Sequence, residues 1–335
     1  MIGFMVTQKD VARMAGVSQP TVSLALKGNE GSVLPRATVN RVMSAVETLG
    51  YKPNRLAQAL RTNQTNTIAC LIPDITNPFY PSFVRGVQSA AEAYAYDVIT
   101  VNTEGSRSRE LHYLELALQG RVDGFVGSFF GISDQDIQTV EQMEVPIVRL
   151  EPSHKKIDSF WLDDVFVDNF SAMKKLTQFL INKGHIKIAI ISGRGGPQNV
   201  RLSGYKAAMT GENLEPRMHI VDKFTEFDGY NASKAILKVS THPTAIIAAN
   251  DLMAIGVMRA INEANLRIPE DIAVAGFDNI PASQLVYPTL TTVERYQDRL
   301  GNLAVNLLMA RLKSKEKFPR QVAEGDYKII ERNST

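Results

Sequence analysis

The sequence predicts a small all-α head followed by a larger α/β body, and three observations carry that expectation. Residues 1–63 hold three short amphipathic patterns punctuated by Gly and Pro, with no strand-like run. Beyond residue 66, short apolar runs alternate with helical patterns, the mark of parallel sheets covered on both faces. That series is too long for one sheet of ordinary size, so two doubly wound parallel-sheet lobes with a cleft between them are expected in a chain of 335 residues.

In the head, Thr7 is placed to cap a helix that begins at TQKDVARMAG, and Asp10 favours its positive end. Val11, Ala12 and Ala15 share one face, and Gly16 can adopt the left-handed conformation that stops the helix. Ser18 caps a second helix with Pro20 in its first turn, where a missing N–H costs nothing. Pro35 opens a third helix, with apolar Val39, Val42, Met43, Val46 and Leu49 before Gly50. Two short helices joined by a Gly-containing turn make a helix-turn-helix, and a third can close a small core beneath it. The protruding second helix has the width of a DNA major groove. Pro53 then bars continuation, and Asn54 can cap a further short helix that would be marginal alone in water.

Charge agrees with this division. Residues 1–63 carry eight Lys/Arg against three Asp/Glu, whereas the remainder carries 29 against 32, so a basic head sits on a slightly acidic body. The lone Cys70 excludes an intrachain disulfide and is expected to be a buried strand thiol. The N-terminus has no apolar secretory run, and no stretch is long enough to span a membrane, so the cytoplasm is the expected location.

In the body, strands are expected at 67–72, 97–102, 122–128, 145–150, 187–192, 244–249 and 272–277. FVRGVQSAAEAY and LMAIGVMRAINEANL are among the helical patterns between them. Ligands of such sheets bind at the carboxyl ends of the strands.

The string VTQKDVARMAGVSQPTVSLALKG followed by LGYKPNRLAQALR closely resembles the DNA-binding head of the lac-repressor (LacI/GalR) family, across the whole head in order. The resemblance implies that Gln19 and Pro20 are the first base-facing positions of the recognition helix. Thr21, Ser23 and the capping Thr7 would meet phosphates, which position the protein without specifying sequence, and Ser18 belongs to the DNA-facing set. Leu24 stands where several relatives carry arginine; it can touch a thymine methyl but cannot donate to guanine. Asn29 belongs to the same expected DNA-facing set. In the family the following segment orders in the minor groove, which implicates Asn54, Arg55 and Ala57, with Leu60 matching the wedge that opens a base step. A plain linker is the alternative.

The resemblance runs on through NPFY (77–80), GRVDGF (120–125), VDNFSAM (167–173), KGHIKIAIISG (183–193), VRLSGY (200–205), AANDLMAIG (248–256), VAGFDN (274–279) and PTLTTV (288–293). These strings are similar to the periplasmic-binding-protein type I body. They imply a head at 1–52, a hinge helix and linker at 53–66, and an effector-binding and dimerisation domain at 67–335. Its first lobe would hold about 67–162 and 291–322, its second about 163–290 and 323–335. Mapping the family's effector contacts gives Asn77, Phe79, Tyr80, Glu151, Arg201, Phe224, Asn250 and Asp278, with Asp74 at the rim and Trp161 a further candidate. Aromatic faces suit a sugar ring, Arg201 offers a fork of donors, and Asn250 and Asp278 suit hydroxyls. Each also has an ordinary structural reading: Phe79 in the core, Asn250 and Asp278 as turn or cap residues, Arg201 in an ion pair between lobes. YKIIERNST adds no heptad run, so a two-fold homodimer without a tetramerising tail is expected.

GRGG (193–196) lacks the last glycine of a dinucleotide fingerprint, the five histidines show no metal spacing, and no nucleophile elbow appears. No cofactor, no metal and no catalysis are therefore expected. The expected function is a DNA-binding transcription regulator, a repressor, whose operator affinity is set by a small effector. A sugar is expected first and a nucleobase or nucleoside second. The alternative is a solute-binding receptor with no DNA-linked role, and a doubly wound enzyme is a third reading.

Overall fold

The computed structural model describes residues 6–26, 34–52, 59, 64–133, 136, 142, 144–151, 160–239, 242–314 and 316–335. The chain divides into two units, Met1–Thr65 and Asn66–Thr335. Asn29, Asn54, Arg55, Ala57 and Leu60 lie outside the described residues.

The first unit contains α1 (Gln8–Ala15), α2 (Gln19–Leu26) and α3 (Arg36–Leu49). The start of α1 is fixed by the carboxylate of Asp10, which accepts from the Thr7 amide at 3.0 Å and from the Thr7 hydroxyl at 2.6 Å. Thr7 thus acts as a donor to Asp10. Those bonds hold the Asp10 carboxyl below its ordinary pKa, mainly through the Thr7 hydroxyl. Gly16 and Gly50 end α1 and α3 in the left-handed region, with φ of 62° and 61°. Val11, Ala12, Ala15, Val22, Ala25, Val42 and Ala45 form the core of this unit.

The body opens with β1 (Thr67–Ile72), α4 (Phe79–Ala93), β2 (Asp97–Asn102), α5 (Arg107–Leu118), β3 (Gly124–Gly127), β4 (Ile147–Leu150) and β5 (Leu162–Val167). After α6 (Asn169–Asn182) come β6 (Ile188–Gly193), α7 (Gln198–Gly211), β7 (Arg217–Val221), α8 (Glu226–Leu237), β8 (Ala245–Ala248), α9 (Asp251–Glu263) and β9 (Ala273–Ala275). The chain closes with β10 (Thr292–Glu294), α10 (Gln297–Lys313), β11 (Val322–Gly325) and β12 (Lys328–Ile330). One sheet runs β11-β5-β4-β3-β1-β2 and the other β7-β6-β8-β9, with every pairing parallel. β10 and β12 pair antiparallel, and bridges tie Thr291 and Glu294 to Ala275 and Asp278 at the edge of the second sheet.

Both faces of the inner strands β1, β3 and β4 are buried, which is why they read as continuous apolar runs. Ile68, Cys70 and Ile72 cluster with Phe83, Val87, Ala304 and Leu308 on one face, while Ala69 and Leu71, with Phe125 of the adjacent strand, cluster with Leu114 on the other. α4 and α10 approach so closely that a Cβ at Gly301 would lie 2.4 Å from the Phe83 carbonyl oxygen. Among the described residues no helix is long and apolar enough to cross a membrane.

The crossings between lobes fall later than expected. β5 pairs with β4, so the chain leaves the first lobe after Val167 rather than near 162. Thr291–Glu294 still belong with the second sheet, and β11 belongs with the first, so those crossings follow Glu294 and Gly325. β5 escaped the sequence reading because Asp163 and Asp164 look like loop residues. In the fold both are fully buried, Asp163 paired with Arg311 and Asp164 with Arg149 and Arg320.

Two outcomes follow. Burial pushes the Cys70 thiol up to about 12, so native protein should resist thiol reagents at neutral pH, whereas denatured protein should react at once. Rapid labelling of the native state would contradict this packing. Gly301→Ala should lower unfolding free energy by about 1–3 kcal/mol in a denaturant titration, through overpacking at the α4–α10 contact.

Candidate effector site and DNA-facing head

The carboxyl ends of both sheets open on a cavity of about 720 Å³. From the first lobe it is lined by the residues that end or follow β1 (Asp74, Asn77, Phe79, Tyr80), β2 (Asn102, Glu104), β3 (Ser128, Phe130) and β4 (Glu151). From the second come those that follow β6 (Arg194, Arg201), β7 (Asp222, Phe224), β8 (Asn250) and β9 (Asp278), and Arg295 stands after β10. A parallel sheet aims every following loop at one edge, so two such edges facing each other gather residues far apart in sequence.

At the centre lies a ring of four charges. Arg201, 2% exposed, donates from Nη2 to Asp278 Oδ1 at 3.3 Å and from Nε to Asn169 Oδ1 at 2.9 Å. Its Nη1 donates to the Ala249 carbonyl, and its guanidinium stacks 3.9 Å from the Phe277 ring centroid. Arg295, 3% exposed, donates from Nη1 to the same Asp278 oxygen at 3.0 Å and from Nη2 to Glu151. It lies 4.6 Å from the Phe79 ring centroid. Burial pulls the Arg201 pKa down to about 10, which leaves it charged at neutral pH. Burial pulls Arg295 the same way, but the Glu151 and Asp278 carboxylates outweigh it and the net shift is upward. Two cations and two anions leave the ring formally neutral.

The backbone under this ring is strained. Glu151 has φ of 58°, Asp278 107° and Tyr296 48°, all in the region that favours glycine. Such conformations cost of order 1–3 kcal/mol each and persist only where surrounding contacts over-determine them. Here the contacts are the ion pairs, a bond from Gln297 to the Asp278 carbonyl, and one from the Asn169 amide to Glu151.

Asn77, Phe79, Tyr80, Glu151, Arg201, Phe224, Asn250 and Asp278 all line the cavity, so the fold brings eight of the nine expected residues together. Their ordinary structural readings hold beside this one. Asn250 caps α9, its Oδ1 accepting from the Met253 amide at 2.9 Å, while its Nδ2 donates to the Phe224 carbonyl at 3.1 Å. Phe79 is in the core of the first lobe, edge-on to Tyr80 with centroids 5.1 Å apart. Burial raises the Tyr80 hydroxyl pKa.

Trp161 is a correction. It precedes β5 at the amino end of the sheet, opposite the cavity, and the Lys317 ammonium lies 5.4 Å from its ring centroid. Parallel strands place a residue before a strand at the far edge from one that follows it. Arg295 is the main residue the sequence reading missed. It sits two residues past the family string PTLTTV, and an arginine so close to an apolar segment was the available signal.

In the head, Ser18, Gln19, Pro20 and Leu24 are exposed along α2, Leu24 to 51%. Thr21 and Ser23 are half-buried, and Thr7 is exposed. The Ser18 hydroxyl lies 2.8 Å from that of Thr21, and Gln19 donates to Gln8 at 3.2 Å. An apolar side chain so exposed on a helix that packs Val22 and Ala25 inward leaves one face of α2 open to a partner.

Comparison with known proteins supplies the context. Residues 7–54 match the model of bacterial regulatory proteins of the lacI family, and residues 177–335 that of the periplasmic binding protein-like domain. The ribose operon repressor of Escherichia coli is 37% identical over 314 residues, covering 92% of this chain and 93% of that one. The lac repressor dimer bound to operator and an anti-inducer superposes with a TM-score of 0.86 at 27% identity, covering 98% of each chain. A LacI family transcriptional regulator from Enterococcus faecium with bound ribose gives 0.72 at 28% identity, over 80% of this chain and 98% of that one. From two matched domains in this order and similarity along nearly its whole length, the chain belongs to the lacI family of bacterial transcription regulators, with a DNA-binding head and an effector-binding body.

Proposed function

We propose that the cleft takes an uncharged monosaccharide, a pentose such as ribose first, and that its binding changes the affinity of the head for an operator. The observation that carries this is the neutral ring of Arg201, Asp278, Arg295 and Glu151 beside Phe79 in one cavity. A hydroxyl both donates and accepts, so a polyol can bond an arginine and a carboxylate at once. An anionic ligand gains nothing from arginines already matched by carboxylates. Arg295 Nε is buried with no partner among the described residues, a donor available to a ligand oxygen. The ribose named for two relatives supports the same choice.

The protein acts as a homodimer reading two half-sites, a reading supported by its similarity to a lac repressor dimer bound to operator. Leu285 and Tyr287, 83% and 91% exposed on one turn, offer an apolar contact for a second copy. Gln19, Pro20 and Leu24 face bases, Ser18, Thr7, Thr21 and Ser23 face phosphates, and Asn29, Asn54, Arg55, Ala57 and Leu60 complete the contact, with Leu60 as the minor-groove wedge. Ligand shifts operator binding by its differential affinity for two arrangements of the lobes across the dimer.

Calorimetry of the full chain against a panel of pentoses, hexoses and purines tests the ligand, and a purine-only response would replace the sugar. Arg201→Ala should weaken the responding ligand by about 30-fold or more, because it removes a buried fork of donors and leaves Asp278 with Arg295 alone, while operator affinity without ligand stays near wild type. An undiminished response would remove Arg201 from the site. In gel-shift titrations Gln19→Ala should cost about 1–3 kcal/mol on the operator and little on random duplex. Leu60→Ala should show the same asymmetry, and equal losses on both duplexes would sink the wedge.

A further inference from the structure

Apart from its ion ring, the cleft has an apolar contact between its two walls. Phe130, carried on the loop after β3, lines the cavity from the first lobe. A Cβ at Gly196, in the second lobe, would lie 3.3 Å from its ring. Gly195 and Gly196 have φ of 83° and 53°, so the turn entering α7 presents bare backbone there. Gly196 is exposed and Phe130 half-buried, which places the contact at the mouth.

The loop that carries Phe130 is tied to α5. Glu110, fully buried in the first turn of α5, accepts from the Phe130 amide at 3.1 Å and from the Gly131 and Ile132 amides at 2.9 Å each. Arg107, three residues earlier on the same face, donates from Nε to Asp136 at 2.9 Å, and Asp136 also takes the Ser133 amide and hydroxyl at 2.8 Å. Gly131 fits only bare, since a Cβ would lie 2.4 Å from the Arg107 nitrogen. A buried carboxylate needs donors, and the three amides that satisfy Glu110 are the same three that define the path of the loop.

We propose that Phe130 is a latch between the lobes at the mouth of the cleft and that Glu110 is its positioning residue. The ring sits over Gly196, holds the two walls together, and slows escape of whatever the cleft contains. The last clause rests on the effector reading above; the contact itself does not.

Hydrogen exchange of the full chain, read by mass spectrometry, tests the latch without ligand. Glu110→Gln turns one acceptor into a donor that faces amide donors. It should speed exchange about tenfold both in the 129–133 peptide and in the 194–200 peptide, where the Gln198 amide bonds to the Gly195 carbonyl. Phe130→Ala should open 194–200 alone, because Glu110 still holds the 130–132 amides. A role confined to the loop would leave 194–200 unchanged in both variants, and that result overturns the proposal. Should Glu110→Gln not fold, a cycle of Phe130→Ala with Gly196→Ala decides it, since the backbone strain at 196 cancels and only the ring contact couples. Coupling near zero in 194–200 exchange overturns the latch. In a second arm, D-ribose should dissociate from Phe130→Ala about tenfold faster than from wild type in stopped-flow release. An unchanged rate overturns the retention claim. If wild type takes up no D-ribose, the choice of ribose fails while the exchange results still judge the latch.

Discussion

Arg295 meets carboxylates from opposite lobes with one guanidinium, and the architecture of the cleft depends on that pairing. Glu151 ends a strand of the first sheet, Asp278 follows a strand of the second, and Arg295 lies where the chain crosses between them. A charge removed from water costs several kcal/mol unless it is met at close range. Arg295 is the cation that meets Glu151, it shares Asp278 with Arg201, and its own burial is offset by the two acids together. Arg201 meets Asp278 from the other side, and the Asn169 amide, which accepts from Arg201 and donates to Glu151, closes the ring. The positive φ values of Glu151 and Asp278 show where this matching is enforced against backbone preference.

The same physics recurs at the far edge of the first lobe. Asp163 and Asp164 point to opposite faces of β5 and are met by Arg311 on one side and by Arg149 and Arg320 on the other. Arg311 also donates to the Phe318 and Pro319 carbonyls, which fastens the segment leading to β11. One network fixes where the returning chain docks, and the other fixes how the lobes meet. The apolar layers supply the bulk of the burial, and the ionic sites select the arrangement.

This division suits a regulator. The apolar cores make each lobe a rigid body, because α4 and α10 pack without space on one face of the first sheet. What can change on binding is the set of contacts between lobes: a polar ring at the floor and an aromatic on bare backbone at the mouth. A ligand that bonds the ring exchanges one set of polar partners for another at modest cost. Such an exchange can bias an equilibrium between two lobe arrangements without disturbing either core.

The sequence by itself determined the elements. Capping residues, glycine stops and apolar periodicity located α1, α2 and α3, and the apolar runs located seven of the strands, because these signals are local and each residue carries its own. The family resemblance placed eight of the cleft residues, six of them within its strings, for the same reason: they follow strands, and loops after parallel strands share one edge. Only the tertiary structure decided the roles of charge. Asp163 and Asp164 read as loop residues until their arginines, about 150 residues away, made them a strand. Trp161 read as a cleft residue until the direction of β5 put it at the opposite edge. Arg295 stood beside an apolar segment and Glu110 inside a helical pattern, but neither place tells a buried charge from a surface one, because a buried charge is defined by partners that only the folded chain brings within reach.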